Sequence, residues 1–467
     1  MRLFHVVTAV VAGFGAAAGL SANRAIAAAD NKPNVVVIVA DDLGSGEIVC
    51  QGKQEIPTPH LHSIAQNGVC FTGAYVSCPV CSPTRAGLMT GRYQQRFGHE
   101  FNPGPATQAD VNFGLPLDQV TLADRLKMLG YATGMVGKWH LGYQPAYHPL
   151  RRGFDEFFGF LGGAHSYVDS GADAANRVLR GTEPVDEKEY LTDALAREAV
   201  AFIDRHKSEP FFLYLPFNAT HAPLQAIDKY SNRFSQIGDQ KRRTYAAMLS
   251  AMDDAVGAVL EKLREARLEE NTLVFFIADN GGPTLQTSSK NDPLHGFKGQ
   301  VWEGGIRVPC MAQWKGHLPA GKIYDAPVIA LDILPTAVAA AGGTVSGTPP
   351  IDGVNLLPYL TGEKTGRPHE MLYWRFGQQW AIRKGDLKLL ATPDAGVQLF
   401  DLAKDVGEQH DLSAEKPDAV AQLTEDYQAW NAELKDPKWQ GRQGAAKAKD
   451  KAGKRKNKAN RKAKAAA

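Results

Sequence analysis

Three short runs of apolar residues predict the centre of the fold. They cover residues 34–40, 211–216 and 272–278, are rich in β-branched and aromatic side chains, and contain no charged residue. A strand that is buried on both faces of a parallel sheet has this pattern, because helices cover the sheet on each side. We therefore predict three buried parallel strands.

Apolar residues at helical spacing fill the intervals between these runs. Thr121 is placed to cap a helix that continues through Met128 and stops at Gly130. Strands that alternate with helices indicate an α/β fold whose parallel sheet is covered on both sides. Two longer apolar stripes predict further helices, one through Leu191, Leu195, Ala199 and Phe202, and one through Met248, Met252, Val256, Val259 and Leu263.

The pattern changes after about residue 365. Four short strand-like runs, 372–375, 380–383, 387–390 and 397–400, follow one another closely, and a helical pattern extends from about residue 417 to residue 434. This spacing predicts a small antiparallel sheet packed with one helix. We divide the globular part of the chain into a main domain of residues 30–365 and a C-terminal α+β subdomain of residues 366–441.

Residues 1–29 have the composition of a secretory signal peptide. Arg2 supplies a positive start, residues 6–20 are apolar and uncharged, and residues 27–29 offer small side chains for cleavage. The apolar run is too short for a comfortable membrane span, and no later stretch is long and apolar enough to cross a bilayer. We expect a secreted or periplasmic protein without a membrane span.

The charge of the 467-residue chain is uneven, although its 44% hydrophobic and 22% charged residues are ordinary for a globular protein. The net charge is +2, but residues 442–467 contain 11 Lys or Arg, one Asp and no aromatic or β-branched residue. Such a basic tail cannot bury enough apolar surface to fold alone, so we predict that it is disordered. It either keeps the protein soluble or holds a polyanion.

The five cysteines are Cys50, Cys70, Cys78, Cys81 and Cys310. An odd number in an exported protein leaves at least one outside an intramolecular disulfide. If Cys81 is consumed by modification, the other four form two bridges or none. Cys78 and Cys81 form a single CxxC motif, which lacks the second Cys or His pair that a structural zinc site requires.

Oxygen ligands follow two of the three predicted strands. Asp41 and Asp42 come directly after the first, and Asp279 and Asn280 directly after the third. Ligands of doubly wound sheets bind beyond the carboxyl ends of the strands, and an all-oxygen set suits Ca²⁺ or Mg²⁺ rather than zinc. The alternative is that these acids cap the helix or turn that follows.

Cys81 is the second candidate group. Pro83 fits the first turn of a helix, which places Cys81 at the helix N-terminus, where a nearby anion is favoured. These residues alone are consistent with either a buried structural cysteine or a thiol nucleophile.

Lysine and histidine side chains form the third group of candidate functional residues. Lys138, His140 and Lys298 lie in glycine-bounded segments, and His221 follows the second predicted strand. Each is, taken singly, more often a structural residue. Together with the carboxylates and Arg85, they predict a hydrolase of anionic esters.

The sequence resembles the type I sulfatases of the alkaline-phosphatase-like superfamily. Cys81-Ser-Pro-Thr-Arg85 and the Ala-Gly-Leu-Met-Thr-Gly-Arg that follows match their modification signature, and residues 40–44, 137–142, 278–282 and 303–309 match further blocks in the same order. The resemblance covers roughly residues 33–415. It implies an α/β fold with a large mixed, mostly parallel sheet sandwiched by helices, and a small C-terminal antiparallel sheet plus helix.

The resemblance also implies a role for each candidate residue. A formylglycine-generating or sulfatase-maturing enzyme converts Cys81 to formylglycine, whose hydrate attacks sulfur. Arg85 and His140 assist this diol, Lys138 and Lys298 hold the sulfate oxygens, and His221 protonates the leaving alcohol. One Ca²⁺ (Mg²⁺ as the less favoured ion) is bound by Asp41, Asp42, Asp279, Asn280 and residue 81.

The substrate is indicated by residues 91–100, which resemble bacterial arylsulfatases and N-acetylgalactosamine-6-sulfatase-type enzymes. That resemblance implies a sulfated galactan or glycosaminoglycan. His165, Trp374 and Arg375 are candidates for the sugar site, with packing or surface roles as the alternative.

Two other functions would share parts of this sequence pattern. A phosphodiesterase or phosphonate hydrolase of the same superfamily would share the fold, but a two-metal phosphatase needs extra His and Asp ligands where Lys138 and Lys298 stand. The second is a non-catalytic, calcium-dependent glycan-binding protein that keeps Cys81 as a thiol.

Overall fold

The computed structural model describes residues 32–48, 50, 54–108, 110, 112–345 and 349–441. The predicted signal peptide, residues 1–29, and the predicted basic tail, residues 442–467, lie outside the described residues. Among the residues that are described, no helix combines the length and apolarity that a bilayer span needs.

A ten-stranded mixed sheet forms the centre of the main domain, in the order β11-β2-β10-β9-β1-β8-β4-β5-β6-β7. Strands β1, β8, β9, β4 and β5 are parallel to their neighbours within this group, and β10 and β6 pair antiparallel at its two sides. The bounds of these ten strands are β1 Asn34–Ala40, β2 Val69–Phe71, β4 Ala132–Lys138, β5 Glu156–Phe160, β6 Leu179–Arg180, β7 Glu183–Pro184, β8 Phe211–Pro216, β9 Thr272–Ala278, β10 Cys310–Gln313 and β11 Lys322–Tyr324. Two further strands, β3 Ala74–Tyr75 and β12 Val328–Ile329, pair in a separate two-stranded parallel sheet.

The three predicted central strands are confirmed as β1, β8 and β9 with the predicted bounds. In the register of the sheet, Val37 lies between Tyr214 and Phe275, and every residue of the three strands is buried. An uninterrupted apolar run is therefore required, because both faces of each strand are covered by helices.

The helices pack on both faces of the sheet. The predicted cap is present, since the Thr121 hydroxyl accepts from the Asp124 N–H and the Asp124 carboxylate accepts from the Thr121 N–H. Both longer apolar stripes are helical. The α-helices are Pro59–Gln66, Cys81–Thr90, Leu122–Met128, Leu191–His206, Asp228–Ser231, Gln240–Glu265, Thr284–Thr287, Glu303–Ile306, Ile333–Ala340, Leu357–Thr361 and Pro417–Asn431.

The sequence pattern did not predict β4, although this strand ends in Lys138. Two glycines interrupt its apolar pattern, and the packing explains both. A Cβ at Gly134 would lie 2.4 Å from the Phe202 ring, and one at Gly137 would lie 2.0 Å from the Pro216 carbonyl oxygen. The glycines therefore permit close packing against a helix and a neighbouring strand.

The four C-terminal strands form a separate antiparallel sheet in the order β13-β14-β15-β16, as predicted. Their bounds are β13 Met371–Phe376, β14 Gln379–Lys384, β15 Leu387–Thr392 and β16 Gly396–Asp401. The helix Pro417–Asn431 packs on this sheet through stacked rings, with Tyr427 4.3 Å from Trp380 and Trp430 4.9 Å from Tyr373 between ring centroids.

The cysteine prediction was wrong, because the structure has one disulfide rather than two or none. Cys50 and Cys70 are joined, with 5.8 Å between their Cα atoms. Among the described cysteines, Cys78, Cys81 and Cys310 are buried and unbridged. Cys78 contacts the Glu100 carbonyl oxygen at 3.9 Å, whereas Cys310 lies opposite Phe71 within the sheet, so these two thiols have different surroundings.

Candidate active site

The carboxyl ends of the central parallel strands bring most of the predicted residues together. Asp41 and Asp42 follow β1, Asp279 and Asn280 follow β9, and Lys138 ends β4. His221 lies five positions beyond β8, and Cys81 begins the helix Cys81–Thr90 at the same edge. This is the edge at which doubly wound sheets bind ligands.

Acidic and amide oxygens form a buried cluster at this edge. Asp41, Asp42, Cys81 and His221 each offer a ligand atom within 4.8 Å of the others. Among the described residues, Oδ1 of Asp41 and Oδ1 of Asn280 are buried without a hydrogen-bond partner. Because an unpaired buried oxygen is costly, these two atoms fit a hard cation bound between the strand ends.

The backbone and charge of Asp42 are unusual. Its φ of 63° lies in the left-handed region, which costs energy for a non-glycine residue and is concentrated at functional sites. Burial opposes its ionisation, but Lys298 and His221, with hydrogen bonds from Lys298 and Asn280, lower the pKa of Asp42 to about 2. The carboxylate is therefore ionised at neutral pH.

Three cations neutralise the carboxylates. Arg85 is fully buried and donates to Oδ2 of Asp279 from Nε at 2.9 Å and from Nη2 at 2.7 Å. Nζ of Lys138 lies 2.5 Å from Oδ2 of Asp41. Nζ of Lys298 donates to Oδ1 of Asp42 at 2.6 Å. The cluster thus combines acids that attract a cation with cations that attract an anion.

Cys81 lies where these charges meet. Its Sγ is 3.4 Å from Nζ of Lys298 and 3.9 Å from Nδ2 of Asn102. Burial raises the pKa of the Cys81 thiol to about 12, although Lys138 and Lys298 oppose that effect. A thiol with such a pKa stays protonated and is a poor nucleophile at neutral pH. Burial without a bound cation therefore disfavours the thiolate that an unmodified cysteine nucleophile would need.

The two histidines lie in the loops that follow the neighbouring strands β4 and β8. His140 has a φ of 59°, and its ring packs so tightly on Gly163 that a Cβ there would lie 2.5 Å from Nε2. Burial and the Lys138 charge lower the pKa of His140 well below its usual range. Nδ1 of His221 pairs with the Ala222 carbonyl oxygen at 2.6 Å, and Nε2 lies 3.7 Å from Oδ2 of Asp42. Burial lowers the pKa of His221 to about 3.

A cavity of about 480 Å³ opens onto Cys81, His140, His221 and Lys298. Polar side chains and small residues form the rest of its wall, including Asn102, Pro103, Tyr143, Gly163, Asp173, Asn176 and Gln286. These four side chains therefore border a space large enough for a small ligand.

Sequence reasoning missed Asn102. Its Oδ1 accepts from the Ser82 N–H at 2.8 Å, so its Nδ2 faces Sγ of Cys81. The carboxamide thus contacts both the first turn of the Cys81–Thr90 helix and the cysteine. An asparagine in an irregular loop, 21 positions from Cys81 in the sequence, offers no periodic signal that predicts this contact.

The predicted sugar-site residues do not line this cavity in the described part of the chain. Trp374 is fully buried, donates from Nε1 to the Val76 carbonyl oxygen at 2.7 Å and packs on Tyr75. Arg375 donates two hydrogen bonds to Oε2 of Glu100, from Nε at 2.9 Å and from Nη2 at 2.7 Å. The placement of Trp374 and Arg375 in the sugar site was wrong, because the Trp374 ring is buried in packing and the Arg375 guanidinium is held by Glu100, so that neither side chain lines the cavity.

His165 lies near the cavity but points into the protein. It is 4% exposed, its Nδ1 pairs with the Ser166 carbonyl oxygen at 2.7 Å, and its ring packs on Phe160 at 5.0 Å. Its neighbours Gly163 and Ala164 line the cavity instead. The structure thus gives His165 a packing position.

A profile of the Sulfatase family matches residues 33–343. This range includes every candidate residue from Asp41 to Lys298. The chain belongs to the sulfatase family. It is a sulfuric ester hydrolase, and the strand-end cluster is its candidate active site.

Known proteins similar to this sulfatase cover most of its length. The N-acetylgalactosamine-6-sulfatase of Sus scrofa is 35% identical over 390 residues, which cover 79% of this chain and 73% of the relative. The Homo sapiens N-acetylgalactosamine-6-sulfatase is 32% identical over 449 residues, which cover 85% of each.

Among solved structures, Ps i-CgsB in complex with k-i-k-neocarrahexaose is 37% identical to this sulfatase, with a TM-score of 0.83. The match covers 87% of this chain and 94% of that one. The fold, including the C-terminal sheet, therefore agrees with the alkaline-phosphatase-like α/β architecture that the sequence predicted.

Proposed function

We propose that this sulfatase removes sulfate from a sulfated saccharide of the galactan or glycosaminoglycan type. It uses a formylglycine formed from Cys81 and one bound Ca²⁺. The observation that carries the proposal is the position of Cys81. It begins a helix, its Sγ lies 3.4 Å from Nζ of Lys298, and it lines the cavity next to the acidic cluster.

The proposed Ca²⁺ ligands are oxygens of Asp41, Asp42, Asp279 and Asn280, with residue 81 as a further ligand. The unpaired Oδ1 atoms of Asp41 and Asn280 support this assignment. A set dominated by oxygen favours Ca²⁺ over zinc. When bound, Ca²⁺ supplies positive charge that stabilises negative oxygens at the reacting sulfur.

Formylglycine supplies a geminal diol, of which one hydroxyl attacks sulfur and the other permits sulfate release by reforming the aldehyde. Arg85 is proposed to orient residue 81, since its guanidinium is fixed by Asp279 and lies close enough to Cys81 to interact with it electrostatically. His140 is proposed to hydrogen-bond to the same diol from the cavity wall.

Lys138 and Lys298 are proposed to bind the sulfate oxygens. Both ammonium groups now pair with carboxylates next to residue 81, so a small movement would bring them to an anionic ester. His221 is proposed to protonate the leaving oxygen from Nε2, the ring nitrogen that does not pair with the Ala222 carbonyl. Because burial lowers the pKa of His221 in the free protein, this role requires the negative charge of the bound sulfate ester to raise that pKa, so that both ring nitrogens carry protons. These assignments give each buried charge a chemical use.

The saccharide assignment is supported by the relatives and by the cavity. Two of the relatives are named for N-acetylgalactosamine-6-sulfatase activity, and the solved neighbour binds a neocarrahexaose. The cavity wall offers hydroxyl, amide and carboxylate groups that suit sugar hydroxyls. We further propose a secreted or periplasmic location and conversion of Cys81 by a formylglycine-generating or sulfatase-maturing enzyme.

The test measures two things, which are the chemical state of residue 81 and the substrates from which the protein releases sulfate. The protein is produced together with a sulfatase-maturing enzyme, and the peptide that contains residue 81 is analysed by mass spectrometry. Sulfate release is then measured by ion chromatography on 6-sulfated N-acetylgalactosamine and on sulfated galactan oligosaccharides, with phosphate esters as the control. We expect formylglycine at residue 81 and sulfate release from at least one saccharide. Full activity with an intact Cys81 would contradict the formylglycine, and faster release of phosphate would contradict the proposed specificity.

A further inference from the structure

The segment that carries Lys298 has no helix or strand of its own. It runs as a turn between Phe297 and the short helix Glu303–Ile306. On one side it is held by the Gly299 N–H, which donates to the Pro79 carbonyl oxygen at 2.9 Å, two residues before Cys81. Such an irregular segment depends on contacts from elsewhere to fix its lysine.

Gln379 supplies the contact on the other side. It is the first residue of β14 in the C-terminal sheet. Its Nε2 donates to the Gly299 carbonyl oxygen at 3.0 Å, and its Oε1 accepts from the Val301 N–H at 3.3 Å. One carboxamide therefore satisfies a backbone acceptor and a backbone donor within three residues of Lys298, as a paired strand would.

We propose that Gln379 is a positioning residue of the sulfatase reaction, through which the C-terminal sheet fixes the ammonium of Lys298 in the active site. The inference rests on the proposed role of Lys298 in binding the sulfate group. Gln379 does not line the cavity, so it acts through the lysine and not on the substrate.

Further contacts from the same sheet hold the next residues along the chain. Buried Lys388 donates to Oε1 of Glu303 at 2.9 Å and to Oε1 of Glu408 at 2.7 Å. Oε2 of Glu408 accepts from the Glu303 N–H at 2.7 Å. These contacts anchor the end of the segment that is farther from Lys298. Gln379 binds the backbone of Gly299 and Val301, which follow Lys298 by one and three positions. Loss of positioning by about 1 Å can lower a rate by roughly 10²-fold.

The test is a double-mutant cycle with Gln379→Met and Lys298→Ala. Methionine keeps the length of glutamine but removes the carboxamide. The matched control is Gln378→Met, because Gln378 is the exposed neighbour in the turn before β14. For each fully converted protein, kcat and KM are measured on 4-nitrophenyl sulfate, the dissociation constant of inorganic sulfate is measured by calorimetry, and folding is checked by thermal unfolding.

We expect Gln379→Met to lower kcat/KM by about 10-fold and to weaken sulfate binding, while Gln378→Met stays within about two-fold of the parent. In the Lys298→Ala background, Gln379→Met is expected to have no further effect on either quantity, because the group it positions is gone. Gln379→Asn, which is too short to reach both backbone groups, should act in the same direction.

Two results would overturn the inference. One is an unchanged kcat/KM and sulfate affinity in Gln379→Met while Lys298→Ala is impaired, which leaves the proposed function intact. The other is an equal loss from Gln379→Met with and without Lys298, which indicates a general structural effect. Full activity of Lys298→Ala would instead reject the proposed role of Lys298, and with it the positioning role.

Discussion

Lys138 and Asp41 form a fully buried ion pair, with Nζ 2.5 Å from Oδ2, and the other oxygen of Asp41 has no hydrogen-bond partner among the described residues. A carboxylate shared in this way has one oxygen for a lysine and one for a cation. The same division recurs at Asn280, whose Nδ2 donates to Asp42 while its Oδ1 stays unpaired. Asp41 and Asn280 therefore each keep one oxygen free to bind a metal cation next to the lysines.

Metal removal is the first prediction that follows. Chelation is expected to abolish sulfate release, and Ca²⁺ is expected to restore it better than Zn²⁺, because oxygen donors dominate the site. Ca²⁺ should also raise the free energy of unfolding by about 2.7 kcal/mol at a free concentration 100 times its dissociation constant. Activity and thermal unfolding of chelated and reloaded protein measure both effects.

Asp42→Ala should behave like the chelated protein. Asp386→Asn is the matched control, since Asp386 pairs with Arg367 at the surface and lies outside the active site. A metal-free preparation that keeps full activity, as checked by elemental analysis, would reject the metal assignment.

The second prediction concerns residue 81. Cys81→Ala is expected to fold and to lower sulfatase turnover by roughly 10³-fold or more, because the nucleophile is lost. Cys81→Ser should fail similarly over many turnovers, since a serine sulfate ester cannot be released by reforming an aldehyde. Steady-state rates on 4-nitrophenyl sulfate measure both losses.

Cys310→Ala is the control for loss of a buried thiol. Cys310 lies in β10, outside the cavity wall, and is unbridged in the described structure. It should keep formylglycine and activity. Turnover by Cys81→Ser at the rate of the parent would contradict the formylglycine mechanism.

The third prediction replaces the earlier hypothesis for Arg375. Arg375 pairs with Glu100, whose side chain is 2% exposed and whose pKa burial raises even in the presence of the arginine. Arg375→Met should lower the free energy of unfolding by about 3 kcal/mol, because it leaves a buried carboxyl without its cation. KM for a saccharide substrate should stay unchanged.

The pH dependence of that loss has a definite sign. Without Arg375, the pKa of Glu100 in the folded protein rises further above its unfolded value, so the folded state favours the protonated carboxyl. The free energy of unfolding must then fall as pH rises above the unfolded pKa. Urea unfolding at pH 5 and pH 8 should show a larger deficit at pH 8. An equal deficit at both pH values would indicate that the ion pair contributes little.

The sequence predicted those parts of the site that follow regular strands. Asp41 and Asp279 end uninterrupted apolar runs, so both the strands and the shared edge follow from periodicity. The strand before Lys138 was missed, because Gly134 and Gly137 remove the side chains on which that pattern depends. Lys138 was a candidate because of its residue type and its glycine-bounded segment, and its role in binding sulfate came from the family resemblance.

Contacts between residues that are far apart in the sequence could not be predicted from the sequence pattern. An aromatic residue beside an arginine gives the same pattern whether it contacts a ligand or packs in the core, and Trp374 proved to be fully buried. Asn102 and Gln379 are polar residues in irregular or strand-edge positions, and their contacts are made across the fold. The roles of such residues can be recognised only when the backbone groups to which they hydrogen-bond are known.

The last prediction concerns how His221 serves the reaction. Its Nε2 lies 3.7 Å from Oδ2 of Asp42, so the ring is placed either to protonate a leaving oxygen or to share a cation with the acidic cluster. General acid catalysis contributes roughly 10²- to 10⁴-fold, but only where the leaving oxygen needs a proton. A sugar alkoxide needs one, whereas an activated nitrophenolate does not.

His221→Ala should therefore abolish most sulfate release from a saccharide while sparing much of the activity on 4-nitrophenyl sulfate. Lys298→Ala is the comparison, because it acts on the sulfate group common to both substrates and should impair both. The ratio of the two kcat/KM values, measured on one saccharide that the parent cleaves, distinguishes the roles. Equal losses on both substrates for His221→Ala would reject the acid role. Because a lost ligand affects every substrate alike, metal content measured on the same variant would then show whether His221 helps to hold the cation.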